Sequence, residues 1–171
     1  GDYGECDEFS PQLNNLESLQ LGAVTFMNNC YGCHSLKYSR WNRIAKDLEI
    51  PEEIFASNLV YGQTVKLGDT MNGSMKKELA ETWFGISPPD LTLVTRLHGS
   101  DWVYTYLKTF YEDSSKPYGV NNPNHVHSSV AMDQAIQLNC QKTNCSFLIQ
   151  QPVWSFDLQM PFLFQLYFLL Q

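Results

Sequence analysis

A chain of 171 residues with 43% hydrophobic residues can bury one sizeable core and is too apolar for a disordered segment, so one globular domain is the expectation. The formal net charge of −7 argues against nucleic acid, whose phosphates demand a basic surface, and favours a basic partner drawn in by the negative field. No cleavable leader is visible at Gly1, which points to a processed or trimmed start.

Gly1 to Leu13 is acidic and turn-rich, with Asp2, Glu5, Asp7, Glu8 and Pro11, and reads as a loose arm whose Cys6 is a free or locally paired thiol. The first helix is expected to open at Asn14, with Glu17 closing a capping box. Leu16, Leu19, Ala23, Phe26 or Met27, and Cys30 then fall at three- and four-residue steps along one face. Gly22 costs about 1 kcal/mol against alanine inside that helix, which suits a place where another helix crosses closely.

The helix delivers Cys30 to the run Cys30-Tyr31-Gly32-Cys33-His34. Two cysteines at this spacing can form thioethers with the two vinyls of a haem, and the histidine after the second then lies beneath the iron as proximal ligand. A chance pair, a disulfide turn or half a zinc site are the alternatives. Zinc normally needs a second ligand pair, which Cys6, Cys140 and Cys145 do not supply. Covalent haem attachment and cysteine use together indicate the periplasm or its organellar equivalent.

In Ser35 to Arg43 aromatic and basic residues alternate, so that Tyr38 and Trp41 can wall a flat macrocycle with Arg40 or Arg43 at its rim. A helix is expected from Pro51 at its first position, with Glu52 and Glu53 in the first turn and Ile54, Phe55, Leu59 and Val60 leading to a stop near Gly62. Lys66 to Gly73 is turn-rich. Its Met71, and Met75 beyond it, are either iron ligands or core filling. A short helix over Lys76 to Phe84 precedes Ser87-Pro88-Pro89-Asp90-Leu91. The two prolines hold an extended segment and expose carbonyls, one of which can accept the second ring N–H of His34 and fix its tautomer. Ser100 is expected to cap a further helix whose apolar stripe is Trp102, Val103, Tyr106, Leu107 and Phe110.

The segment Phe26 to Tyr38, then Gly68-Asp69-Thr70-Met71, Trp83-Phe84-Gly85 with Pro88-Pro89-Asp90-Leu91, and Asp101-Trp102-Val103-Tyr104-Thr105-Tyr106-Leu107, in that order, resembles cytochrome c1 of a bacterial, proteobacterial kind. The resemblance runs from about Leu16 to Met132. It implies a mainly α, cytochrome c-like domain over residues 14–137, with helices around one covalent haem c, long loops and little strand. It further implies an electron-transfer subunit of the cytochrome bc1 complex, on the periplasmic side of the bacterial inner membrane. Electrons would come from the Rieske iron-sulfur protein, beside cytochrome b, and pass to a cytochrome c. No substrate is transformed by the chain itself in that reading. A freestanding haem c shuttle or small haem enzyme is the alternative, and a disulfide-stapled binding module is a third.

Carried over residue by residue, the resemblance implies Cys30 and Cys33 as attachment points, His34 as proximal ligand, and the carbonyl of Pro88 or Pro89 as its partner. The family's pair of arginines after P-P-D-L is represented by Arg96 and, in place of the second, by His98, which brings charge to a haem propionate only near or below its pKa. The Trp102 indole N–H can reach the same propionate region. After the Gly- and Asn-rich loop Pro117 to Pro123, Met132 occupies the place of the distal ligand, with His125 and His127 as competitors and Met160 poorly framed.

From Leu138 onward the resemblance stops, and residues 138–171 form a divergent tail where the family has a packing helix and a membrane anchor. The apolar run Phe162 to Leu170 is about half of what spans a bilayer, and no Lys or Arg follows Lys142. A shifted reading frame would leave such a break, which resequencing the gene through codon 138 would expose.

Overall fold

The computed structural model describes residues 6–60, 66–115 and 120–122. Over these the chain is mainly α. Helices α1 (Leu16–Asn29), α2 (Trp41–Asp47), α3 (Glu52–Leu59), α4 (Lys77–Phe84), α5 (Val94–His98) and α6 (Ser100–Lys108) alternate with short strands β1 (Leu36–Arg40), β2 (Thr70–Met71), β3 (Tyr111–Glu112) and β4 (Val120–Asn121). The strands make two antiparallel pairs, β1 with β2 and β3 with β4, the first with an irregular register between Leu36 and Arg40.

Helix α1 begins one residue later than the sequence pattern indicated. Asn15 rather than Asn14 is its cap, and the Asn15 side chain accepts from the Ser18 N–H at 3.1 Å. The residue three beyond the cap is therefore Ser18, and Glu17 serves as the first-turn acid favoured by the helix dipole. Leu19, Ala23, Phe26 and Met27 are buried at helical spacing, with Ser18 and Gly22 on the same side. The Gln20 side chain donates to the Leu48 carbonyl at 2.8 Å, which ties α1 to the end of α2.

The run after His34 departs from the expectation of a macrocycle wall. Residues 36–40 are strand, with Leu36 and Ser39 buried, and Trp41 opens α2 pointing into the core. Trp41 is 1% exposed and meets Tyr31 and Phe55 edge-on, with ring centroids at 5.2 and 6.2 Å. Tyr38 instead lies 66% exposed, with the Lys37 ammonium 5.1 Å from its ring centre. Arg40 is engaged by the Gly68 carbonyl and Arg43 by Asp47. An irregular strand that buries Leu36 and Ser39, followed by a helix that buries Trp41, takes the place of a flat aromatic wall. Met71 pairs with Leu36 across the β1–β2 ladder and is 2% exposed, a core residue; Met75 is half-buried.

Three further boundaries shift by one position. Pro51 is the N-cap of α3 and not its first turn, Lys76 caps α4 from outside, and Gly99 rather than Ser100 precedes α6. Gly99 has φ 89° and ψ 158°, which is essentially glycine's alone and lets α5 stop and α6 start without an intervening loop. The expected stop at Gly62 lies outside the described residues.

The described part of the acidic segment, from Cys6 onward, is docked on α6. The Asp7 N–H donates to Thr105 Oγ1 at 2.8 Å, the Phe9 N–H to Asp101 Oδ1 at 2.9 Å, and Lys108 pairs with Asp7 at 3.1 Å. Phe9 stacks on Tyr104 at 5.0 Å. Its charged composition conceals an apolar ring and two backbone donors that α6 can use.

Helix α2 ends in a Schellman motif: the Ile50 N–H reaches the Ala45 carbonyl and the Glu49 N–H the Lys46 carbonyl, at 2.9 and 3.1 Å. The residue placed in the left-handed region is Glu49, at φ 53°, where glycine is normally found. Glu49→Gly is expected to stabilise the protein by about 0.5–1 kcal/mol, since relief of the left-handed cost exceeds the added freedom of the unfolded chain. A higher denaturation midpoint in urea at unchanged slope is the outcome to look for.

Candidate haem-attachment site

The site is built where α1 runs out. The Cys30 N–H closes the last helical turn on the Phe26 carbonyl, and the Cys30 carbonyl then accepts from both the Cys33 and His34 N–H groups at 3.0 and 2.9 Å. This turn brings Cys30, Cys33 and His34 together. Both cysteines are free thiols, and burial pushes them up, Cys30 to about 12 with Cys33 beside it adding to the rise. Among the described residues no group of three or more His, Cys, Asp or Glu side chains is arranged to hold a metal ion by itself.

His34 Nδ1 lies 2.8 Å from the carbonyl oxygen of Pro89, and it is this proline, not Pro88, that meets the ring. A carbonyl only accepts, so Nδ1 carries the proton and Nε2 presents its lone pair. Burial pushes the imidazole below its usual pKa, against the Pro89 carbonyl and the Asp90 charge, which pull the other way. The ring is thus oriented, with its proton on Nδ1 and the lone pair on Nε2, which is the arrangement of a histidine that binds iron. The donor set fits a haem joined at Cys30 and Cys33 with its iron on His34.

The backbone around His34 is held from two sides. Ser35 Oγ accepts from the Gly73 N–H at 2.9 Å, and the Ser35 carbonyl accepts from the Leu91 N–H at 3.0 Å. The Tyr31 hydroxyl donates to the Asn72 carbonyl at 2.6 Å, and burial pushes that phenol up to about 12. Asp90 accepts from the Lys37 N–H at 2.8 Å and from the Thr92 N–H at 3.1 Å. Ser35, Gly73 and Asp90 were not singled out by residue type. The one signal available was that an acid directly follows a proline pair.

Arg96, His98 and Trp102 form a second group on α5 and α6. Arg96 is exposed, and His98 is half-buried with its ring stacked on Trp102 at 4.2 Å. Trp102 stacks in turn on Tyr106 at 5.2 Å, and Tyr106 meets Phe110 edge-on at 5.3 Å, an aromatic ladder with a four-residue step. Val103, not the aromatic residues, is the fully buried member of the stripe expected here. Beside Arg96, Thr95 is buried and its Oγ1 makes no hydrogen bond. Met132, His125, His127, Met160, Cys140, Cys145 and the tail from 138 lie outside the described residues. No described helix is long and apolar enough to cross a membrane.

Gly73 is required by close approach. A Cβ there would sit 3.1 Å from Ser35 Oγ, 3.3 Å from the His34 carbonyl carbon and 3.4 Å from its oxygen. Gly73→Ala is expected to destabilise the fold by about 1–3 kcal/mol, because the neighbouring atoms are largely backbone and cannot swing aside. Equilibrium denaturation checks this, and a midpoint equal to that of the wild type would refute it.

No family model matches the chain. It is 56% identical over 110 residues to cytochrome c1 of Allochromatium vinosum, which takes in 64% of this chain and 45% of that protein. It is 46% identical over 107 residues to the ammonia monooxygenase gamma subunit of Nitrosomonas europaea, 62% of this chain and 44% of that protein. The chain therefore spans less than half the length of these curated relatives. Across the matched 110 residues it is similar to cytochrome c1.

Proposed function

We propose that this chain is the haem-bearing electron-transfer part of a cytochrome bc1 complex, on the periplasmic side of a bacterial inner membrane, passing electrons from the Rieske protein to a cytochrome c. The observation that carries the reading is the His34 ring held by the Pro89 carbonyl at 2.8 Å, directly after the Cys30–Cys33 thiol pair. The 56% identity to a cytochrome c1 over 110 residues supports it. Cys30 and Cys33 join the prosthetic group through their Sγ atoms, and His34 offers Nε2 to the iron. Met132 supplies the distal thioether, and Arg96, His98 and Trp102 serve the propionates. A haem c held here supplies one iron that exchanges one electron at a time. The protein's own work is to fix the axial imidazole, exclude water from the ring edge beside the core and present an anionic surface to the acceptor.

Three measurements test this. In mature protein the colour must stay with the polypeptide after acid-acetone extraction, and the reduced spectrum must be low-spin and six-coordinate. Met132→Ala is expected to abolish that six-coordinate spectrum, whereas an unchanged spectrum moves the distal ligand to His127 or His125. Purification under mild conditions is expected to bring down a b-type cytochrome and a Rieske protein; a coloured monomer alone would favour a freestanding shuttle.

Glu52 and Glu53 lie exposed at the start of α3 and are available to a basic acceptor. Asp113 is committed instead to Ser115 and Asn121, through which it shapes the β3–β4 turn. The rate of electron transfer to a basic cytochrome c is expected to fall as salt rises from about 0.01 to 0.15 M, where the screening length shrinks from about 30 to about 8 Å. A rate indifferent to ionic strength would remove the acidic surface from the encounter.

A further inference from the structure

His34 takes its partner from the main chain, so the direction of the ring depends on whatever holds residues 88–92 in place. Pro88 and Pro89 have no N–H and cannot tie themselves to a neighbour by one. The anchors therefore come from the residues just after. The Leu91 N–H on the Ser35 carbonyl, at 3.0 Å, is one of them and by itself leaves a pivot. The second is the Asp90 carboxylate, which takes the Lys37 N–H of β1 on Oδ2 and the Thr92 N–H on Oδ1, at 2.8 and 3.1 Å. The Thr92 bond is an Asx turn that locks the side chain, and the Lys37 bond is charge-assisted and crosses between segments.

We propose that Asp90 is a positioning residue for the axial imidazole: by clasping β1 and Thr92 with its two oxygens it keeps the Pro89 carbonyl on His34 Nδ1, and so sets the donor strength of the ring toward iron. This rests on the haem reading given above. A carbonyl held in line makes Nδ1–H a better donor and Nε2 a more basic ligand, which favours the ferric state. A slack carbonyl does the reverse.

The test uses the haem-loaded full chain with Asp90→Ala, Asp90→Glu and, as a surface charge control, Glu8→Gln. Exchange of the His34 Nδ1 proton is followed by NMR in the reduced protein, and the reduction potential by redox titration. Asp90→Ala and Asp90→Glu are both expected to speed proton exchange at least tenfold. Each should also weaken the ferric preference about threefold, an upward shift of about 30 mV at 59 mV per tenfold for one electron. The glutamate keeps the charge but sets the carboxylate one methylene out of register. Glu8→Gln should leave both readings unchanged. Where Asp90→Ala does not mature, Asp90→Asn, which retains one acceptor oxygen, is read in its place.

Wild-type exchange and potential in the variants, even with lowered stability, overturn the assignment and leave the haem reading standing. So does a shift in Asp90→Asn with none in Asp90→Glu, which would make Asp90 a field effect only. A wild-type chain without covalent haem overturns both.

Discussion

The contact between His34 Nδ1 and the Pro89 carbonyl joins two parts of the chain 55 residues apart, and most of the described structure is arranged to maintain it. Helix α1 ends in a turn that presents Cys30, Cys33 and His34 on one short stretch. The β1–β2 pair and the Asn72–Gly73 backbone press on that stretch from one side, while the segment from Pro89 to Thr92 closes the other. A single hydrogen bond of this kind is worth only about 1 kcal/mol to stability. Its importance is in choosing the tautomer.

The core explains why the turn is firm. Leu19, Ala23, Phe26 and Met27 of α1 pack with Leu36, Trp41, Ile44, Phe55 and Met71 in one cluster, and Tyr31 enters it from within the haem-attachment run itself. Burial of Tyr31 and the hydroxyl bond to Asn72 pin the residue between the two cysteines, so the spacing of the thiols is set by packing on one side and by the Cys30 carbonyl on the other. Raised thiol pKa values follow from the same burial.

At the far end of the description, α6 ties together pieces that charge and composition would have kept apart. Its Asp101 and Thr105 accept from the backbone of the acidic N-terminal segment, and Lys108 binds Asp7. On α5 and α6, His98 stacks on Trp102, so the residue found where a second arginine was expected has an aromatic neighbour to pack against.

Much of this was legible from residue order. Helical spacing located α1 to within a residue or two, because its buried face repeats at three and four positions, and the proline followed by two acids marked the start of α3. Residue types alone make Trp41 look like a wall residue because no local cue marks where the strand gives way to α2, whose first residue it is. The proline pair already offered a carbonyl to His34, and tertiary structure chose Pro89 over Pro88; the Asp90 clasp and the close approach of Gly73 were decided only by tertiary structure. Each is a meeting of segments some 38 to 55 residues apart, and the groups that meet are largely backbone atoms, which every residue carries and no sequence pattern distinguishes.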